Sequence, residues 1–186
     1  MIRTITSLLL AAVLAAASHA ATPVPQQPLP PVNIDDLGEC VGAEGDTSFV
    51  PWSSDSLAGK VQVVEHTAAR AGVEKLNSAF YSALAAAGLP GDKFGITKIV
   101  NSDDAMWGTS SLVAGEVAKN KLATPDIAFV VDAEGTARQR WDLEEKTAAL
   151  IILDNAGQVV YFKQGGTSAE DAATALKLLE SLVIAE

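Results

Sequence analysis

The sequence predicts an α/β domain with a central mixed sheet flanked by helices. Short β-branched or apolar runs alternate with stretches of helical spacing, the pattern of strand–helix–strand units around a largely parallel sheet. Gly and Pro mark the boundaries between them. The chain of 186 residues holds one cysteine, Cys40. No disulfide within the chain can therefore support the fold, and a core has to do so alone.

Residues 1–20 are set apart as an expected export leader. Arg3 is its positive end, Leu8 to Leu14 its apolar segment, and Ser18-His19-Ala20 a small-residue cleavage site with the cut after Ala20. That apolar run is shorter than the ~20 residues needed to span a bilayer. Residues 21–31 contain five prolines and are expected as an extended spacer outside the core. Residues 32–186 form the expected domain.

Within it, Val61–Glu65 is a β-branched run expected as a buried strand. From Ala68 onward Val73, Leu76, Phe80 and Leu84 recur at helical spacing, and Gly88 with Pro90 ends that helix. Phe94–Val100 is the second strand. Ser110 and Ser111 are expected caps of a helix running to about Lys121. Ile127–Val131 is a third strand, closed by Asp132-Ala-Glu-Gly135. Ala149–Leu153 is a fourth, closed by Asp154-Asn-Ala-Gly157, and Val159–Phe162 pairs back on it as a hairpin. Both Asp-x-x-Gly segments read as turns, with Gly at positive φ and Asp bonded to its own turn. Neither carries the alternating carboxylates of a calcium loop. Thr167 and Glu170 are the expected capping box of the last helix, whose buried stripe is Leu176, Leu179 and Val183. An early hairpin is expected around Asp36–Val41.

Removing the leader leaves 12 basic and 23 acidic residues, a net charge of −11. Such a surface repels phosphate backbones and anionic lipid, so nucleic acid and the membrane surface are not expected partners. His66 is the only histidine after the leader, and no metal or cofactor is expected.

Leu57-Ala-Gly-Lys60 followed by Val61-Gln-Val-Val64 resembles the strand that leads into the active site of periplasmic thioredoxin-like proteins. Ala149 to Asp154 with Gly157 resembles their hairpin. Glu65-His66-Thr-Ala-Ala-Arg70, Ile99-Val-Asn101-Ser-Asp103-Asp104-Ala105 and Phe129-Val-Val-Asp132 on to Trp141-Asp-Leu143 are similar to the YtfJ-like family of exported bacterial proteins. That likeness spans roughly residues 32–184. It implies a thioredoxin-like fold and a periplasmic location. It also implies where redox chemistry would sit: the Cys-x-x-Cys slot falls near Ala71-Gly-Val-Glu74, and the cis-proline position near Ala148. Neither is occupied by the residue that chemistry needs, so thiol–disulfide exchange is not expected.

Ligands of open α/β sheets collect beyond the carboxyl ends of the strands. The strands at 61–65 and 94–100 are expected neighbours, and their ends carry His66, Arg70, Asn101, Asp103 and Asp104. In one reading Arg70 binds an anionic group, with His66 or an aspartate as acid–base. In the other, Arg70 pairs with Asp103 or Asp104, Asn101 bonds loop backbone and His66 is a satisfied buried histidine. Trp107 and Trp141 are candidate partner contacts, with core packing as the alternative for Trp141. The favoured function is a periplasmic binding or accessory module for another protein or peptide. The alternatives are a non-redox enzyme using His66 with Asp103 or Asp104, and a single-thiol protein using Cys40. Glu39 beside Cys40 disfavours its thiolate.

Overall fold

The computed structural model describes residues 20–43, 45–105 and 110–185. The expected leader apart from Ala20, Trp107, and the side chains of Ser110 and Ser111 lie outside what is described.

Strands β1 (Asn33–Ala43) and β2 (Asp46–Ser53) form an antiparallel hairpin whose register slips between Ile34 and Glu39. Gly38 sits in that irregularity at φ 77°, where a Cβ would stand 2.1 Å from the Val50 carbonyl oxygen, so only glycine fits. The remaining strands are β3 (Val61–Ala68), β4 (Phe94–Asn101), β5 (Ala128–Asp132), β6 (Ala148–Leu153) and β7 (Val159–Gln164). The sheet runs β2-β1-β5-β4-β3-β6-β7. The β3–β4 and β4–β5 pairs are parallel; the pairs involving β1, β6 or β7 are antiparallel. The helices are α1 (Ser78–Ala87), α2 (Ser110–Ala123), α3 (Thr136–Arg140) and α4 (Ala169–Ala185).

Strand alternation builds two cores. Val61, Val63, Leu150 and Ile152 pack against Phe80 and Leu84 of α1 and against Ala172, Ala175 and Leu179 of α4. On the opposite face Val64, Ile99, Val130 and Ile151 pack with Trp52, Ala137, Trp141 and Leu143. Every residue of β6 is buried because both faces are covered. Helix α2 covers β5 and β1 through Val117, which packs with Cys40, Phe129 and Val131.

Four expectations change. Residues 21–31 are strapped to the domain rather than held off it. Ala21 N donates to Arg140 O, Gln26 N to Val159 O and Leu29 N to Gly157 O, and Val159 N donates back to Gln27 O. Prolines lack N–H groups but keep their carbonyls, and those of Pro30 and Pro31 accept from Trp141 Nε1 at 2.7 Å and Arg140 Nε at 2.9 Å.

The helix expected from Ala68 begins only at Ser78. Pairing of Ala68 with Asn101 prolongs β3, and a 3₁₀ turn at Val73–Lys75 intervenes. The last helix is capped one residue later than expected: Ser168 N donates to Asp171 Oδ2 and Asp171 N to Ser168 Oγ, which satisfies two first-turn groups reciprocally. Finally, the Asp132 carboxylate does not close a simple turn. It accepts from Thr136 N at 2.7 Å and Ala137 N at 2.8 Å and so caps α3, a helix the sequence pattern did not announce. The second turn is as expected, with Asp154 Oδ1 accepting from Ala156 N and Gln158 N beside Gly157 at φ 76°.

Candidate functional site

The parallel pairing of β3 with β4 and of β4 with β5 aligns their carboxyl ends, and Ala68, Asn101 and Asp132 stand side by side there. Asn101 is fully buried and uses both ends of its amide. Its Oδ1 accepts from Asp103 N at 3.0 Å, as expected of a loop-bonding asparagine, and its Nδ2 donates to Asp104 Oδ2 at 3.0 Å. Lys146 N, on the segment entering β6, donates to the same Oδ2 at 3.2 Å. Arg70 Nη1 donates to the Asp104 carbonyl at 3.2 Å. Asp104 therefore fastens three loops together.

The expected ion pair of Arg70 with Asp103 or Asp104 does not form. Arg138 of α3 lies over Asp103 instead, Nη2 to Oδ2 at 3.8 Å, and reaches Glu145 Oε1 at 3.8 Å. Sequence reasoning missed Asp132 and Arg138 because α3 was not anticipated. Asp132 ending a strand ahead of Gly135 was the only local signal of them.

His66 is 1% exposed, and the alternation of β3 turns it to the same side as Val64. Its neighbours across the sheet are Ile99 and Ala149, and among the described residues its Nε2 has no hydrogen-bond partner. Burial lowers its pKa from 6.5 to about 4; Asp104 partly opposes that shift and Arg138 adds to it. Nε2 is bonded to neither Asp103 nor Asp104, although Asp104 is near enough to act on the ring electrostatically. Trp141 is fully buried in the core, Nε1 on Pro30 O, and is not an exposed contact. The turn that ends α3 sends the ring inward. Cys40 is likewise buried, its thiol pKa raised by burial first, with Lys121 and Thr47 pulling the other way and Glu39 raising it further. Among the described residues no group of three or more His, Cys, Asp or Glu is placed to hold a metal ion.

Beside Arg70 the sheet is left open. A cleft of about 600 Å³ lies between the loop after β3 and α2, with Arg70, Glu74, Val100, Leu112, Val113 and Val117 among its lining. A further hollow of about 330 Å³ continues from it past Lys98 and Thr124, sharing Thr67, Glu74, Val100 and Asn120 with the first. Glu65 is buried there, paired with Lys98 Nζ at 3.0 Å and accepting from Asn77 Nδ2 at 3.0 Å, while Lys98 stands 4.1 Å from the Tyr81 ring centre. Burial, and then Glu65, pushes the Tyr81 hydroxyl pKa well above its usual value. None of the cleft's α2 residues was picked out from sequence, because Leu112, Val113 and Val117 make too weak a helical stripe.

The fastening role of Asp104 yields a stability prediction. Asp104→Ala leaves Asn101 Nδ2 and Lys146 N without their acceptor and is expected to cost about 2 kcal/mol. Urea unfolding measures the cost, and amide exchange should speed up at Lys146 but not at Leu150. Unchanged exchange at Lys146 would refute the role.

A seven-stranded mixed sheet whose core strands are β3, β4 and β6, with helices packed on both faces and a single buried cysteine, defines the class: a thioredoxin-like α/β protein without a cysteine pair. Solved structures agree on the fold. A thiol peroxidase from Chromobacterium violaceum superposes with a TM-score of 0.57 at 14% identity, over 88% of this chain and 90% of that one. A thiol-disulfide isomerase from Corynebacterium glutamicum gives 0.53 at 19% identity, over 80% and 92%.

Residues 24–182 match the family described as bacterial protein of unknown function (YtfJ_HI0045). The chain is 36% identical over 157 residues to the uncharacterized protein YtfJ of Escherichia coli strain K12, covering 84% of this chain and 85% of the relative. An uncharacterized protein of Haemophilus influenzae shows the same identity and coverage. This chain belongs to the YtfJ family.

Proposed function

We propose that this protein is a non-redox binding module working in the periplasm, and that its ligand lies in the cleft between the loop after β3 and α2. The observation that carries the reading is the open cleft at the carboxyl ends of the parallel strands, where ligands of open α/β sheets collect. The volume suits a few residues of a partner. Thiol–disulfide exchange lacks its second cysteine, and the burial of His66, with its pKa lowered to about 4, weighs against the enzyme reading that relied on it. The apolar leader ahead of Ala20 favours the periplasm.

A photo-crosslinking side chain placed at Glu116, exposed on the rim, tests the cleft in cells expressing the full chain. Adducts are expected from the periplasmic fraction, and Leu112→Asp in the same protein should reduce them about tenfold. Leu112 is 69% exposed, so that substitution leaves the core intact. An adduct pattern indifferent to Leu112→Asp would overturn the cleft, and uncleaved chain confined to the cytoplasm would overturn the location.

A further inference from the structure

The charge pattern of the cleft narrows what it takes, given the binding reading above. Arg70 makes no ion pair among the described residues, in a chain with 23 acidic side chains; the one hydrogen bond of its guanidinium there is to the Asp104 carbonyl. The apolar part of the lining is Ala68 at the end of β3, Ala69 and Ala71 from the loop that carries Arg70, Val100 from β4, and Leu112, Val113 and Val117 from α2. Glu74 and Glu116 line the same cleft, and the continuing hollow adds Thr124 and the Glu65–Lys98 pair to the shared Thr67 and Asn120. Among the described residues Arg70 is thus the one cation lining the cleft, set among apolar side chains and two carboxylates, with more hydrogen-bonding groups in the hollow that continues it.

We propose that it holds the C-terminal segment of an extended polypeptide, with the terminal carboxylate on Arg70 and the last, apolar side chain on Val100, Val113 and Val117. A terminal residue presents its carboxylate and its side chain from the same Cα, which matches an arginine bordering an apolar wall. Guanidinium and carboxylate meet through two parallel N–H···O bonds, one of the ways by which chain termini are recognised. Upstream main-chain groups lie along Thr67, Asn120 and Thr124, and a basic residue there meets Glu74 and Glu116. A fatty acid satisfies Arg70 equally but would lay its hydrocarbon over the Glu65–Lys98 pair and Asn120, stripping water from polar groups without replacing it.

Fluorescein-labelled pentapeptides Gly-Lys-Ser-X-Z, with X and Z varied through all residues, test this by anisotropy on the chain from Ala21 onward. Each peptide is made as a free acid and as a C-terminal amide. The best acids are expected to carry Val, Ile or Leu at Z and to bind at least about tenfold tighter than their amides. Arg70→Gln should erase that difference, and Leu112→Asp should weaken both forms. Because Arg70 also holds the Asp104 carbonyl, the acid–amide comparison on the unaltered chain decides: equal affinities overturn the carboxylate assignment. If both forms then still weaken with Leu112→Asp, the cleft reading stands without it. If no peptide binds and the crosslinking adducts ignore Leu112→Asp, both fall. Preference for oleate over every peptide acid would also overturn the proposal.

Discussion

Trp141→Ala is expected to destabilise the protein by about 3–5 kcal/mol, the range for removing a large aromatic from a packed core. The ring is fully buried among Val32, Ile34, Trp52, Val130 and Leu143. Its Nε1 also holds the Pro30 carbonyl at 2.7 Å, so the substitution removes packing and the fastening of residues 21–31 together. Trp141→Phe separates the two. It keeps most of the apolar area, loses the donor, and should cost about 1–2 kcal/mol. Urea unfolding gives the energies, while amide exchange at Gln26 and Leu29, whose N–H groups bond Val159 and Gly157, reports release of the strap. Trp141→Ala without loss of stability would contradict the burial. Loss of stability with full protection at Gln26 and Leu29 would show the strap to be held independently of the tryptophan.

Stability should fall as pH drops from about 6.5 to about 4, with His66 responsible for about 3 kcal/mol of the loss. Its folded pKa is depressed, chiefly by burial, so the unfolded chain takes up a proton that the folded chain refuses. The contribution is complete above pH 6.5, declines through the window, and is gone below about 4, where both states are protonated. Asp104 holds the shift back and Arg138 enlarges it. Asp132 acts in the opposite sense: burial raises its pKa, so protonating it favours the folded state as pH falls. The difference in unfolding free energy between the unaltered chain and His66→Phe, followed from pH 7.5 to 4, isolates the histidine. A difference that does not vary with pH would refute the neutral buried imidazole.

Much of the sheet could be read from residue type. Ala149–Leu153 announces itself because a strand covered on both faces needs a continuous apolar run, while Val61–Glu65 and Phe94–Val100 show by their β-branched residues. Their limits were less legible. β3 runs on through His66, Thr67 and Ala68 because Ile99, Val100 and Asn101 of β4 pair with them, and such pairing lies outside any local window. The spacer was misread for a related reason. Composition shows that five prolines favour extended chain, but not that their carbonyls find Trp141 and Arg140 more than a hundred residues away.

The candidate site divides in the same way. His66, Arg70, Asn101, Asp103 and Asp104 do gather at the strand ends, as parallel pairing of two recognisable strands requires. Their roles did not follow. Whether Asp104 meets Arg70 through its carboxylate or its carbonyl depends on a few tenths of a nanometre of loop geometry, and Arg138 took the Asp103 partnership from a helix five residues long.

What the sequence by itself determined is the alternation of strands and helices, the family, and the lack of a second thiol, since each rests on residue identity and order alone. The tertiary structure decided which polar groups are sealed in and which face water. It put His66 and Trp141 in the core and left Arg70 and Leu112 along an open cleft. The physical reason is that burial and electrostatic environment are set by what packs across the sheet, and those neighbours come from distant parts of the chain.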